Sequence, residues 1–220
     1  MMQQLSLLLL SGGGHTGTNV MAALAGRRRD LRLVATSDTA TEPALFAFDA
    51  VYLAPRVATD PKGFEARIIE VLERERPALV VPCRDEDVQW LAGLGERRPD
   101  LRGRFLCGLP DIAEVVNDKW RSYAFCRDHG LPFAASCLCV DSTAARAGVD
   151  DFVATHGLPV VAKPRHGVDS KDVLLLTSLA QARSAMLRDD FVLQQYLGNP
   201  DEVEQYLKQV ACEGLPLFHT

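Results

Sequence analysis

The sequence predicts an α/β protein that opens on a parallel sheet, and three observations carry that prediction. Short β-rich apolar runs recur over the first half (LSLLLL, LRLVAT, AVYLA, ALVVPC and FLCG), stretches of helical spacing such as FEARIIEVLERERP separate them, and a glycine cluster follows the first run directly. Strands alternating with helices imply parallel pairing with crossover connections. Ligands of such sheets gather outside the carboxyl ends of the strands.

The first strand runs into SGGGHTG and then a helix, so Gly12, Gly14 and Gly17 satisfy G-x-G-x-x-G. That turn brings an anion against helix amides, and Gly13, Gly14 and His15 are candidates for an anionic substrate group. The second strand ends at SDTATEP. Asp38 lies about 20 residues beyond Gly17, where a dinucleotide fold carries its ribose acid, although Ser37-Asp38-Thr39 also makes a good turn and is read as one. The fourth strand ends at PCRDED, where Asp85 and Glu86, with Asp87, are candidates to line the cleft and touch substrate or a bound cation. Helix capping, with Asp85 at the N-cap and the next two acids favoured by the dipole, is the preferred reading there.

Near residue 117 the pattern changes. NDKWRSYAFCRDHGLP reads as a helix with an apolar face at Trp120, Tyr123, Ala124 and Phe125, stopped by Gly130 and Pro132. A strand (FAASCLCV), a helix (STAARAGVDDFVATHG), two strands around a polar loop (LPVVAKPRHGVDSKDVLLL), a helix over about 179–187 and the strand-like FVLQQYLG follow. VEQYLKQVACEGLPLFHT reads as a terminal hairpin turning at Glu213-Gly214, and the missing closing element leads us to expect an incomplete domain.

Composition narrows the function classes. The net charge of -5 and pI near 5.5 give no broad drive toward nucleic acid or anionic membrane. Arg27-Arg28-Arg29 is read as a solvated helix end. Leu5–Leu10 is too short to span a membrane and a poor signal peptide, so a cytoplasmic location is expected. Cys83, Cys107, Cys126, Cys137, Cys139 and Cys212 form no C-x-x-C pair and are read as reduced, mostly buried thiols without a metal. His129 and His156 sit at helix ends, where a cation suits the last carbonyls, and His166 is read as an exposed loop residue.

VVAKPRHGVDSKDV carries the densest chemistry. A lysine at the end of an apolar strand, Lys163, is costly to bury unless something negative meets it, and the loop after it offers amides and the Ser170 hydroxyl to phosphates. Lys119 opens the preceding helix behind Asp118, and Gln194 and Gln195 supply donors on a later strand. These groups make a plausible nucleotide triphosphate site.

In segment order, SGGGHTGTNVMAAL, DAVYLAP, ALVVPCRDEDV, VNDKWRSYAFCRDHGLPFAAS, LPVVAKPRHGVDSKDV and FVLQQYLG resemble the ATP-grasp superfamily, in particular ligases similar to the carbamoyl-phosphate synthase large chain and biotin carboxylase. The resemblance implies a Rossmann-like parallel-sheet domain over 1–117, the α+β small lobe of the grasp over 118–189, and the start of its large lobe over 190–220. It also implies ATP and Mg²⁺, a carboxylate activated as an acyl phosphate, and attack by an amine. A homodimer is the assembly carried with that expectation.

By the same resemblance Lys119 and Lys163 contact phosphates, with Lys163 also on the adenine N7 side. Gly167 and Ser170 belong to a flap over the phosphates. Gln194 and the backbone near Tyr196 and Leu197 face adenine, and Glu202, in preference to Asp201, takes the ribose. Two departures stand out. Asp169 and Asp172 replace flap glycines and oppose phosphate, with Lys171 and Arg165 placed to offset them. The family's metal ligands are expected beyond residue 220, so the chain alone is expected not to catalyse the reaction. The alternatives are a nicotinamide-dependent oxidoreductase built on the first domain and a non-catalytic nucleotide or metabolite binding module.

Overall fold

A computed structural model describes residues 5–24, 30–140, 142–167, 172–199 and 201–202, and it divides into two compact units, Met1–Glu114 and Val115–Thr220. The first unit is built on a four-stranded parallel sheet in the order β3-β2-β1-β4, with β1 Leu5–Leu10, β2 Leu31–Ser37, β3 Ala50–Leu53 and β4 Leu79–Pro82. Its helices are α1 His15–Ala23, α2 Pro61–Glu75, α3 Asp85–Arg97 and α4 Pro99–Arg102. A fifth, α5 Pro110–Asn117, contains the boundary between the units.

The leucine run forms the central strand because both its faces are covered. Leu8 and Leu10 pack with Phe64, Ile68 and Leu91, whereas Leu7 and Leu9 pack with Leu33, Leu45 and Phe48 on the other side. Each fully buried leucine contributes about 2 kcal/mol relative to exposure. A continuous apolar run in a parallel sheet covered on both sides is the expected result.

Two local expectations are corrected. FLCG forms no full strand: Phe105 makes an isolated parallel bridge to Val80, and β4 ends at Pro82, which has no N–H with which to extend a ladder. The connection from β2 to β3 holds a short 3-10 turn, Pro43–Ala47, in place of an α-helix.

The second unit contains a four-stranded sheet in the order β5-β8-β6-β7, antiparallel throughout, from β5 Ser136–Leu138, β6 Val160–Pro164, β7 Leu174–Leu176 and β8 Phe191–Gln195. Helices α6 Lys119–Asp128, α7 Thr143–His156 and α8 Leu179–Ala185 complete it. Val149, Ala182, Ala185 and Met186 of the α7 and α8 segments pack with Val160, Ala162, Leu176 and Leu193 of the sheet. β8, which opens the segment assigned above to the large lobe, lies between β5 and β6 in this sheet.

The fold is mixed α/β, as expected. No helix among the described residues is long and apolar enough to cross a membrane. The hairpin expected near the C-terminus, Cys212 and Arg27-Arg28-Arg29 lie outside the described residues.

Candidate functional site

In the second unit, strand pairing places three polar side chains in a row on one face of the sheet. Gln194 is directly opposite Val161 on one side and Ser136 on the other, and Lys163 is two residues from Val161, so Ser136, Gln194 and Lys163 share that face. Lys163 Nζ donates to Gln194 Oε1 at 2.6 Å, Gln194 Nε2 donates to Ser136 Oγ at 2.8 Å, and Ser136 Oγ donates to the Ala134 carbonyl at 3.0 Å. The relay fixes the Gln194 amide: its oxygen faces Lys163.

Burial pushes the Lys163 ammonium below its ordinary value, and the nearby Lys119 ammonium pushes it further in the same direction. Lys119 is the first residue of α6, and its Nζ donates to the Gly167 carbonyl at 3.0 Å. The two lysines are therefore brought together by α6 and β6. The Lys119 charge thus disfavours the charge on the half-buried Lys163, a repulsion that a nearby anion would relieve.

Gly167 is exposed at φ +154, and Asp172 adopts φ +59, a left-handed conformation at one of the positions where a flap glycine was expected. Aspartate is among the few side chains that tolerate it. Tyr196 and Leu197 directly follow β8, with Leu197 well exposed, and Glu202 is exposed beside Asp201. Ser170, with Asp169 and Lys171, lies outside the described residues.

The first unit holds a separate cluster at the carboxyl ends of β1, β2 and β4. Gly14 is the N-cap of α1 and His15 its exposed first residue. A Cβ at Gly17 would stand 1.9 Å from the Gly12 carbonyl oxygen, so glycine is required where the helix crosses the turn. Ser11 enters the turn at φ +53 and its amide donates to Thr36 Oγ1.

The acids are arranged differently from expectation. Arg84, not Asp85, is the N-cap of α3, and it makes no side-chain cap bond; Asp85, Glu86 and Asp87 fill the first turn. Arg84 has extended backbone and ends the loop after β4, so Asp85 falls one position inside the helix, where its charge still suits the dipole. Glu86 accepts from Arg56 Nη2 at 3.0 Å. Asp38 accepts from Arg84 Nη2 at 2.7 Å; burial opposes the Asp38 charge, but Arg84 outweighs it and holds the carboxyl below its ordinary value. The amide of Thr39 donates to Ser37 Oγ, the turn expected there.

Two groups in this cluster, Glu42 and Arg84, escape a sequence reading, and the burial of a third, Asp87, does too. Glu42 accepts from Ser37 Oγ at 2.7 Å and lies so close to the glycine turn that a Cβ on Gly13 would stand 1.8 Å from its Oε2. Arg84 joins two loops. Asp87 is 1% exposed, and its Oδ2 has no hydrogen-bond partner among the described residues. Burial raises the Asp87 carboxyl to about 6, against the opposing Ser11 hydroxyl and Arg84, with Glu86 adding to the rise. Asp87 shares a helical stripe with the buried Leu91 and Leu94, and a carboxylate on that stripe was the available signal.

His129 Nδ1 donates to the Phe125 carbonyl at 2.8 Å, as the helix-end reading requires. His156 closes α7 against Phe152. Among the described residues no three His, Cys, Asp or Glu side chains gather to hold a metal ion.

No protein-family model matches the chain, and no curated protein matches it. Solved structures do. N5-carboxyaminoimidazole ribonucleotide synthetase from Thermotoga maritima is 21% identical at a TM-score of 0.59, covering 88% of this chain and 46% of its own. Biotin carboxylase from Campylobacter jejuni, in a complex with beta-gamma-ATP, is 13% identical at 0.59, with 90% and 46% covered. L-amino acid ligase from Bacillus licheniformis is 12% identical at 0.58, with 89% and 45% covered. The chain spans about half the length of these structures. Over that half it carries the fold of these structures.

Proposed function

We propose that the chain supplies the nucleotide-binding part of an ATP-dependent carboxylate–amine ligase of the ATP-grasp type. The observation that carries the reading is the cation pair, Lys163 on β6 and Lys119 at the start of α6, beside the ordered amide of Gln194. A half-buried ammonium facing a second ammonium is relieved by a polyphosphate. In this reading the two lysines neutralise phosphate oxygens, Gly167 and Ser170 cover them, and Gln194 with the backbone of Tyr196 and Leu197 meets the base. Glu202 takes the ribose.

The reaction proposed for the whole enzyme has a carboxylate oxygen attack the terminal phosphorus of ATP. ADP leaves, the acyl phosphate forms, and an amine displaces phosphate from it. The substrate is assigned to the first unit, its carboxylate to Gly13, Gly14 and His15 and its other groups to Asp85 and Glu86. Magnesium accompanies ATP in the reading, and the described residues gather no ligand set for it. A small-molecule acid and amine are the partners, and cytoplasmic location and a homodimer remain parts of the proposal.

Calorimetric titration with MgATP tests it. The chain binds the nucleotide, and Lys163→Met weakens binding by at least about tenfold, the value of one charge-assisted hydrogen bond of about 1.5–3 kcal/mol. Equal affinity in the variant, or no binding by the wild-type chain, refutes the reading.

A further inference from the structure

Asp118 is a buried carboxylate with two tasks. At 3% exposed it caps α6, its Oδ1 accepting from the amides of Trp120 at 2.9 Å and Arg121 at 3.2 Å. Both of its oxygens also accept from the Arg165 guanidinium, Nε at 2.9 Å to each and Nη2 at 2.6 Å to Oδ2. The cap alone explains neither the charge nor the burial, because a neutral asparagine caps a helix as well as an aspartate does. Burying the charge is costly unless it is paired and its lone pairs are satisfied, and Arg165 supplies that pairing with a two-pronged fork.

The position of this pair matters. Lys119 follows Asp118 directly; Arg165 lies two residues after Lys163 and two before Gly167. Further bonds stitch the same two segments: the Lys119 amide donates to the Arg165 carbonyl at 3.1 Å, and Lys119 Nζ to that of Gly167. The Arg165 amide donates to the Asp190 carbonyl at 2.7 Å, and His166 Nδ1 lies 3.0 Å from Asp190 Oδ2. The start of α6, the end of β6 and the turn before β8 are thus tied around one carboxylate.

We propose that Asp118 is a positioning residue whose ion pair with Arg165 sets Lys119 and the root of the flap at a fixed separation from Lys163 before any nucleotide arrives. The proposal rests on the nucleotide reading above for its ligand, and on geometry alone for the clamp. Preorganisation of this kind removes the ordering cost from the binding step.

Asp118→Asn separates the two tasks, because asparagine keeps the cap acceptor and the volume while losing the charge that holds Arg165. Arg165→Lys keeps the charge and loses the fork. Amide hydrogen exchange on the full, nucleotide-free chain reads the clamp. Exchange of the Lys119 amide accelerates about tenfold in Asp118→Asn and less in Arg165→Lys, while the Val161 and Leu193 amides of the sheet keep their rates. Unchanged exchange at Lys119 overturns the clamp, and equal acceleration across the sheet overturns it in favour of general destabilisation. MgATP titration reads its purpose: Kd rises about tenfold in Asp118→Asn, and the double variant with Arg165→Gln is no weaker than the weaker single one. Wild-type affinity in Asp118→Asn overturns the positioning role. Absence of MgATP binding by the wild-type chain overturns both the nucleotide reading and the purpose assigned to the clamp, whose existence the exchange rates still decide.

Discussion

Replacing Asp87 by asparagine makes the first unit less sensitive to pH, and the size of the effect follows from its site. The Asp87 side chain is almost wholly buried, one oxygen lacks a partner among the described residues, and its carboxyl is raised from the ordinary 3.8 to about 6. A rise of that size corresponds to about 3 kcal/mol. Because the folded value is raised, the folded state holds the proton more tightly than the unfolded chain does. The stabilisation is complete below about pH 4 and is lost as the pH rises through 6. The amide that replaces the carboxyl does not titrate and carries no such dependence. The stability difference between variant and wild type therefore shifts by about 2.5 kcal/mol in favour of the variant between pH 4 and pH 8. Any pH-independent packing change cancels in that comparison. The charged and titratable neighbours are Arg84, Glu86 and Cys83; Cys83, raised by burial and by Asp87 to about 12, does not titrate in this window. Urea unfolding in a Trp120→Phe background isolates Trp90, which packs edge-on against Phe64 in the first unit's core. A difference that stays flat from pH 4 to pH 8, or grows in the wild type's favour, refutes the argument.

Gly17→Ala should cost more than about 3 kcal/mol, because the new methyl would meet the Gly12 carbonyl oxygen at 1.9 Å, whereas Gly14→Ala, whose Cβ meets nothing nearer than 4.0 Å, should change stability by less than about 1 kcal/mol. Urea midpoints of the two variants, followed by Trp90 fluorescence, check the contrast. Burial raises the thiols of Cys83 and Cys137 to about 12 and of Cys139 to about 11, so all three should resist a thiol reagent at pH 8 in the folded chain and react in urea. Peptide mapping of the labelled protein shows whether any of the three reacts while folded.

Much of the fold is legible because its signals are local. The leucine run, the glycine turn and the strand carrying Lys163 each declare themselves within about ten residues, and periodicity suffices to find them. FLCG departs from its strand reading because its partner strand ends at a proline, which lies far away in sequence. Asp85 shifts by one position because helix boundaries depend on the loop that delivers them. Glu42, Arg84 and Arg165 acquire meaning only through partners in other segments. Arg165 and Asp118 are 47 residues apart, and nothing local in either segment announces their bond. Lys119 and Lys163 stand out by residue type, but the row that joins Lys163 to Gln194 and Ser136 needs the antiparallel register.

The register and the placement of acids also separate the two anion seats that the sequence offers. The glycine turn matches a pyrophosphate fingerprint, yet Glu42 lies against Gly13 and the buried Asp87 contacts Ser11 just before the turn. Two unit charges at 4 Å repel by about 4 kcal/mol at an effective dielectric of 20, and a pyrophosphate there would meet such repulsion from Glu42 alone. Asp38, at the position of a ribose acid, is already engaged by Arg84. In the second unit the signs are reversed: two lysines converge, and the buried carboxylate nearby, Asp118, is neutralised by Arg165. Charge, more than glycine spacing, supports the proposal that a polyphosphate sits at the lysine pair, and leaves the glycine turn, which packs a helix tightly on its strand, for the smaller charge of the proposed substrate carboxylate.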